Sequence, residues 1–340
     1  MKQKGFFDEA DRLQKLSELG DSLEKLNKHI AWEDFRVILT KVFKKEAQGP
    51  GGRPPFDYVM MFKILILQKI YNISDEQTEY QINDRLSFQR FIGIQLHDTV
   101  PDAKTIWHFR EKLKEAQVLD TIFYRFTSKL EQMGIITYSG SIIDAAFVEV
   151  PRQRNSRDEN KEIVSGEVPK KWQLKKNRNK LPQKDIDARW MTKNKVRHYG
   201  YKDHIKIDKK SKIITKYRVT NASVHDSQEL KNLIDIKKDR RIYADSAHAG
   251  KEIQKCIPKR IKNRIHEKGY RNRPLTKTQK RNNTAKSRIR ARVEHVFAAM
   301  QQFGGKTIRT IGIARAEIQI GLLNLTYNLT RYTYLAGAKA

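Results

Sequence analysis

Residues 138–150, YSGSIIDAAFVEV, set the strongest constraint on how this chain folds. β-Branched and aromatic residues dominate the run, which predicts a strand entering a hydrophobic core. One carboxylate, Asp144, stands in its middle. Burying an unpaired carboxylate is costly, so the fold must bring Asp144 a compensating partner. Two other acids have a similar setting. Asp245 ends the apolar part of RRIYADSAHAG (240–250), and the small residues after it leave room for another molecule. Glu294, in RIRARVEHVFAAM, borders the helical apolar face formed by Val293, Val296, Phe297 and Met300. Each acid also has a plain structural role open to it. Asp144 can pair with a buried Arg, Asp245 can cap a helix starting near Gly250, and Glu294 can balance Arg290 or Arg292 on a helix surface.

Brought together at one end of a sheet, the three acids would be compensated by hard divalent cations. Mg²⁺ takes a few carboxylates together with water and phosphate oxygens. Two such ions about 3.5–4 Å apart activate a hydroxyl and stabilise the leaving oxygen of a phosphodiester. The charge distribution suits that substrate. Residues 1–135 carry 21 Lys and Arg against 20 Asp and Glu, leaving 69−21=48 basic and 39−20=19 acidic residues, a net of +29, for the rest. A one-sided field of this size fits a polyanion, above all nucleic acid. The basic segments carry no apolar helical face, which argues against a membrane surface. No nucleotide-binding loop is present, so no nucleotide cofactor is expected. The single cysteine, Cys256, excludes an internal disulfide and fits a reducing compartment. MKQKGFFDEADRLQ lacks the core of a signal peptide, and YVMMFKILILQKIY is too short to span a bilayer. These features describe a soluble cytoplasmic protein.

The first 135 residues predict a helical domain. Leu16, Leu19, Leu23, Leu26 and Ile30 follow the spacing of a helical seam, suited either to self-association or to packing on neighbouring helices. GPGGRPPFD (49–57) breaks the pattern, and 58–71 predicts a buried helix. Ser74 with Gln77 opens another helix, to about residue 90, and Asp102 caps the next. Short helices joined by tight turns are compatible with a helix-turn-helix-like DNA reader, as with any small bundle. From 136 to 340 the pattern predicts a sheet with helices packed on it. Residues 152–198 are expected to form a long basic loop. YKDHIKID and IITKYRVTNA would make a hairpin around 208–212, with strands at RIYAD and CIPKRIK and two closing helices. Trp172 and Trp190 are candidates for stacking on unpaired bases or for anchoring the loop.

The ordered series SIIDAAFVEV, GYKDHIKID, TNASVHDSQEL, IYADSAHAG and RARVEHVFAAMQQFGG…IR…GIARA…YNLTR resembles the DDE transposases of the insertion sequence five group. GRPPFDYVMMFKILILQKIYNISDEQTEYQINDRLSFQRFIGI and PDAKTIWHFREKL resemble the helical domain that precedes their catalytic core. The resemblance covers the chain from about residue 30. It implies an α/β, RNase H-like mixed sheet flanked by helices, preceded by an all-α domain for DNA binding and dimerisation. It carries the catalytic and metal-ligating acids onto Asp144, Asp245 and Glu294, with Mg²⁺, or Mn²⁺ in its place, as cofactor. In the related signature Tyr-(2)-Arg-(3)-Glu-(6)-Lys, Arg290 and Glu294 match, while Ser287 and Gln301 replace the Tyr and the Lys. His248 stands where the family often has an aromatic. The implied activity is cleavage and strand transfer of an insertion sequence, with the terminal inverted repeats and target as double-stranded DNA partners, a homodimer in the active complex, and a bacterial, nucleoid-associated location. Lys202, His204, Arg290 and Arg292 are the candidate phosphate contacts. A metal-dependent nuclease or resolvase of the same fold would cut without joining, and a non-catalytic DNA-binding protein would not need the acids.

Overall fold

The computed structural model describes residues 8–43, 54–177, 179–193, 195–250 and 255–338. The chain divides into two compact units, Met1–Phe126 with Leu325–Ala340, and Thr127–Asn324.

The first unit contains helices α1 (Asp8–Glu18), α2 (Ser22–His29), α3 (Arg36–Phe43), α4 (Tyr58–Tyr71), α5 (Asp75–Asp84), α6 (Leu86–Ile92) and α7 (Ala103–Glu115), and α8 (Leu119–Gln132) begins in it. Side-chain caps start several of them: Asp57 accepts from Met60 N–H, Ser74 from Gln77 N–H and Asp102 from Thr105 N–H. Val59, Met61, Phe62, Ile64, Leu65, Ile66 and Leu67 are all buried, which makes α4 the central helix. Trp32, Phe35, Phe62 and Phe91 meet edge to face at 5.3–6.4 Å around it. The leucine seam is not continuous. Gly20, at φ +86°, separates α1 from α2, and Asp21 then caps α2 through Leu23 N–H. Leu19 is left 84% exposed, while Leu23, Leu26 and Ile30 are buried. The Gly/Pro break at 49–57 falls mostly on 44–53, outside the described residues.

The second unit is built on a mixed sheet of β1 (Ser141–Glu149), β2 (Arg189–Lys193), β3 (Val196–Asp208), β4 (Ile214–Asn221), β5 (Arg241–Tyr243) and β6 (Lys262–Asn263), in the order β2-β3-β1-β5-β6 with β4 also pairing β3. β1 runs antiparallel to β3 and parallel to β5. The hairpin expected around 208–212 joins β3 to β4, and the Asp208 carboxylate accepts N–H groups of Lys210 and Ser211 inside its turn.

The long loop expected at 152–198 is largely structured. It contains α9 (Arg157–Val164), α10 (Lys170–Gln173), β2 and the start of β3. Ser156 and Glu159 form a capping box at α9, and Trp172 is buried with its Nε1 donating to Glu159 at 2.7 Å. One buried aromatic and one box therefore order a segment whose composition is that of a loop. The helix α11 (Asp226–Leu233) packs Leu230 and Leu233 on Ile143, on one face of the sheet. The basic stretch before VEHVFAAM is the first half of a single long helix, α12 (Lys277–Gln302), opened by a Thr276–Gln279 capping box and packed against β1 and β5. The last helix, α13 (Ile313–Gly337), packs Ala316 and Ile320 against Val148, Tyr199 and Tyr201. A mixed sheet flanked by helices, after an all-helical segment, is the expected RNase H-like arrangement. No helix among the described residues is long and apolar enough to cross a membrane.

Candidate active site

Strand register determines which side chains share a face of the sheet. Asp144 lies opposite Ile205 in the antiparallel β1–β3 ladder, so Tyr201, Asp203, Ile205 and Ile207 share its face. Lys202, His204, Lys206 and Asp208 point to the other. In the parallel β1–β5 ladder, Ile142 pairs with Tyr243. Asp144 is two residues beyond Ile142 and Asp245 two beyond Tyr243. Extended two residues past the end of β5, this register leads toward the side of the sheet that carries Asp144, and the charges of both acids act on Arg290. β5 has ended at this point, and the carboxyl end of a parallel strand is where open α/β sheets leave a crevice.

Asp245 begins a short 3₁₀ turn, Ser246–His248, and accepts from Ala247 N–H at 3.0 Å. It also contacts Nδ1 of the buried His248 at 2.8 Å. Burial opposes its charge, but His248, Arg290 and the Ala247 N–H outweigh burial and bring its pKa down to about 2. The carboxylate is therefore ionised. The helix anticipated near Gly250 falls on 251–254, outside the described residues.

Asp144 is paired. Arg290 donates from Nη2 to its Oδ2 at 2.7 Å, with both side chains largely buried. Glu294 is exposed on α12, one turn beyond Arg290. Burial works against the Arg290 charge, yet Asp144, Asp245 and Glu294 together hold its pKa above the ordinary value. The buried Nε of Arg290 has no hydrogen-bond partner. Among the described residues, no three acidic, His or Cys side chains stand close enough to hold a metal ion as they are. The donor set nevertheless fits a hard divalent ion. All three carboxylates act on Arg290, and a metal ion is attracted by the same field.

The candidate phosphate contacts separate. Lys202 is buried, donating to the Val224 carbonyl and to Asp226 at 2.8 Å. His204 is buried too, with Nε2 2.8 Å from Thr220 Oγ1, and burial lowers its pKa to about 4. Both lie on the face away from Asp144 and are committed to internal partners, so neither is offered to a surface ligand. Arg290 is held by Asp144. Arg292 is exposed and donates to the Lys209 carbonyl. Trp172 anchors the 152–198 segment, whereas Trp190 stays 47% exposed, with the Arg152 guanidinium 5.5 Å from its ring.

Other residues at the site escape the sequence reading. His248 is singled out in the sequence, but not its role of restraining Asp245, whose signal is the i, i+3 spacing in DSAH. Beyond Ala249 a cavity of about 490 Å³ is lined by His266, Lys268, Tyr270, Arg273 and Lys286. The charges of Asp245 and Arg290 both act on His266. On the Asp144 face, buried Asp203 accepts from Asn324 Nδ2 at 3.1 Å, while Asp203 Oδ2 and Asn324 Oδ1 have no partner. Burial raises the Asp203 pKa to about 7 against the Asn324 hydrogen bond.

Residues 11–112 match the family model described as Transposase domain (DUF772), and residues 136–329 match the model described as Transposase DDE domain. Among solved structures, a piggyBac transposase synaptic complex with hairpin DNA is similar over 96% of this chain and 77% of that chain, at 12% identity and a TM-score of 0.44.

Proposed function

Because the chain belongs to the DDE transposase family, enzymes that cut DNA and transfer the cut strand, we propose that it moves an insertion sequence by binding its terminal inverted repeats and acting on them with Asp144, Asp245 and Glu294. The observation that carries this reading is the register. Ile142 and Tyr243, two residues before Asp144 and Asp245, pair across β1 and β5, and the charges of Asp144, Asp245 and Glu294 all act on Arg290.

The family implies a divalent ion, and we assign it to these three carboxylates, with Mg²⁺ as the resident ion and Mn²⁺ able to replace it. When bound, the ion supplies Lewis acidity that activates a water or a 3′-hydroxyl and neutralises charge on the phosphate. His248 and the Ala247 N–H keep Asp245 ionised and aimed. The cationic wall of Lys268, Arg273 and Lys286 attracts the strand, and Tyr270 offers it a stacking surface. The same acids serve cleavage and joining, because both are in-line displacements at a phosphodiester. Residues 1–135 would read the repeats and contribute to a homodimer that holds two ends, while 136–340 would carry out the chemistry. The working location is the bacterial cytoplasm, on the nucleoid.

The test is a footprinting and product assay on DNA carrying the element's own ends, with Mg²⁺ and excess competitor DNA. Protected repeats, nicks at their borders and joined products are expected. Equal protection of unrelated sequence removes the repeat-binding reading, and nicks without joined products point to a nuclease.

A further inference from the structure

We propose that Arg290 is a built-in competitor for the metal site: its guanidinium holds Asp144 when no divalent ion is there, and it must leave that carboxylate when an ion arrives. The proposal rests on the assignment of Asp144, Asp245 and Glu294 as the ion's ligands.

Three carboxylates whose charges converge repel each other unless a cation stands among them. Arg290 is that cation. It reaches Asp144 from α12 at 2.7 Å, and the charges of Asp245 and Glu294 act on it as well. A guanidinium cannot shed its charge, so it yields Asp144 only by moving. The contact is made for release. It runs through Nη2, while the buried Nε has no partner, so the planar fork is not used as a bidentate clamp. Glu294 lies one turn further along the same helix, so ion binding at Glu294 and displacement of Arg290 are movements of a single element. Arg290 thus keeps the ligands in place without metal, and the ion's apparent affinity is reduced by the work of displacing it.

The test is a titration of the DNA-free, full-length chain with Mn²⁺, reading the free ion by electron paramagnetic resonance. Arg290→Gln and Arg290→Met are expected to bind Mn²⁺ about tenfold more tightly than wild type, the size expected for a partly buried ion pair. Arg290→Lys, which keeps the charge, should stay within about threefold of wild type, an outcome a merely structural role does not give. In the wild type, the Nε–H resonance of Arg290 should shift over the Mg²⁺ range in which the ion binds. Affinity unchanged or weakened in both neutral variants, with melting temperatures near wild type, overturns the proposal, as does an Nε–H resonance that ignores Mg²⁺. Asp144→Asn and Asp245→Asn separate the two levels. If they bind Mn²⁺ like wild type, the site assignment itself fails. If they lose the ion while Arg290→Gln does not gain it, only the competition fails.

Discussion

Asp203→Asn should make the protein more stable, by about 3 kcal/mol more at pH 8 than at pH 5. Asp203 Oδ2 and Asn324 Oδ1 are both buried and unpartnered, while Asn324 Nδ2 donates to the other carboxylate oxygen at 3.1 Å. A proton on Oδ2 would let Asp203 donate to Asn324 Oδ1, closing a carboxylic acid–amide pair of hydrogen bonds. The folded pKa is about 7, against an ordinary value of 3.8, with burial as the cause. A raised carboxyl pKa means that the folded chain keeps a proton the unfolded chain has lost. Stability from this group is complete below about pH 4 and is lost as pH rises through about 7. At 1.36 kcal/mol per unit, the whole loss is about 4 kcal/mol, of which about 3 kcal/mol falls between pH 5 and pH 8. Asn at 203 keeps the closed pair at every pH and removes this slope. Urea unfolding of wild type and variant at the two pH values, followed by tryptophan fluorescence, measures the difference. A variant destabilised equally at both values would refute the reasoning, since Asp203 would then be a working carboxylate with a partner.

Three further outcomes follow from the site. His248→Phe removes the Nδ1 contact that helps hold Asp245 at a pKa of about 2, so the acidic limb of the cleavage rate should move to higher pH, and an unmoved limb contradicts the role given to His248. Asp226→Ala leaves Lys202 buried without its carboxylate and should destabilise the fold by about 3–5 kcal/mol, read by urea unfolding, while the DNA affinity of the folded protein stays constant. Lys268→Ala and Arg273→Ala, which line the cavity past Ala249, should each lower the slope of log K against log salt by about one without changing protein stability, and an unchanged slope places the strand elsewhere.

The strands that carry the acids were legible because their chemistry is local. SIIDAAF and IYAD are apolar runs with one carboxylate each, and both became paired strands, with Asp144 inside β1 and Asp245 two residues past β5. The helix caps at Ser74 and Asp102 were legible for the same reason, since each uses a side chain within three residues. What failed depends on long-range packing. GYKDHIKID looks like a half-exposed strand, yet β3 is buried from Tyr199 to Asp208 because helices cover both faces. Lys202, His204 and Lys206 are therefore internal groups, met by Asp226, Thr220 and Asp239 from distant parts of the chain. The order in 152–198 depends on Trp172 reaching Glu159, and composition does not reveal that contact. The leucine seam shows the opposite error, where a long periodicity was broken by one left-handed glycine. The Arg290–Asp144 contact joins residues 146 apart and was visible only as one of two open roles for Asp144.

The central claim is that Asp144, Asp245 and Glu294 act as one site for cleavage and joining. Its most direct test measures both steps on end-labelled DNA for wild type, Asp144→Asn, Asp245→Asn and Glu294→Gln, with duplex affinity measured in parallel. The account predicts that each single change removes cleavage and joining together, by at least about a thousandfold, with affinity for the ends retained. A variant of any one acid that still cuts and joins near the wild-type rate would contradict it.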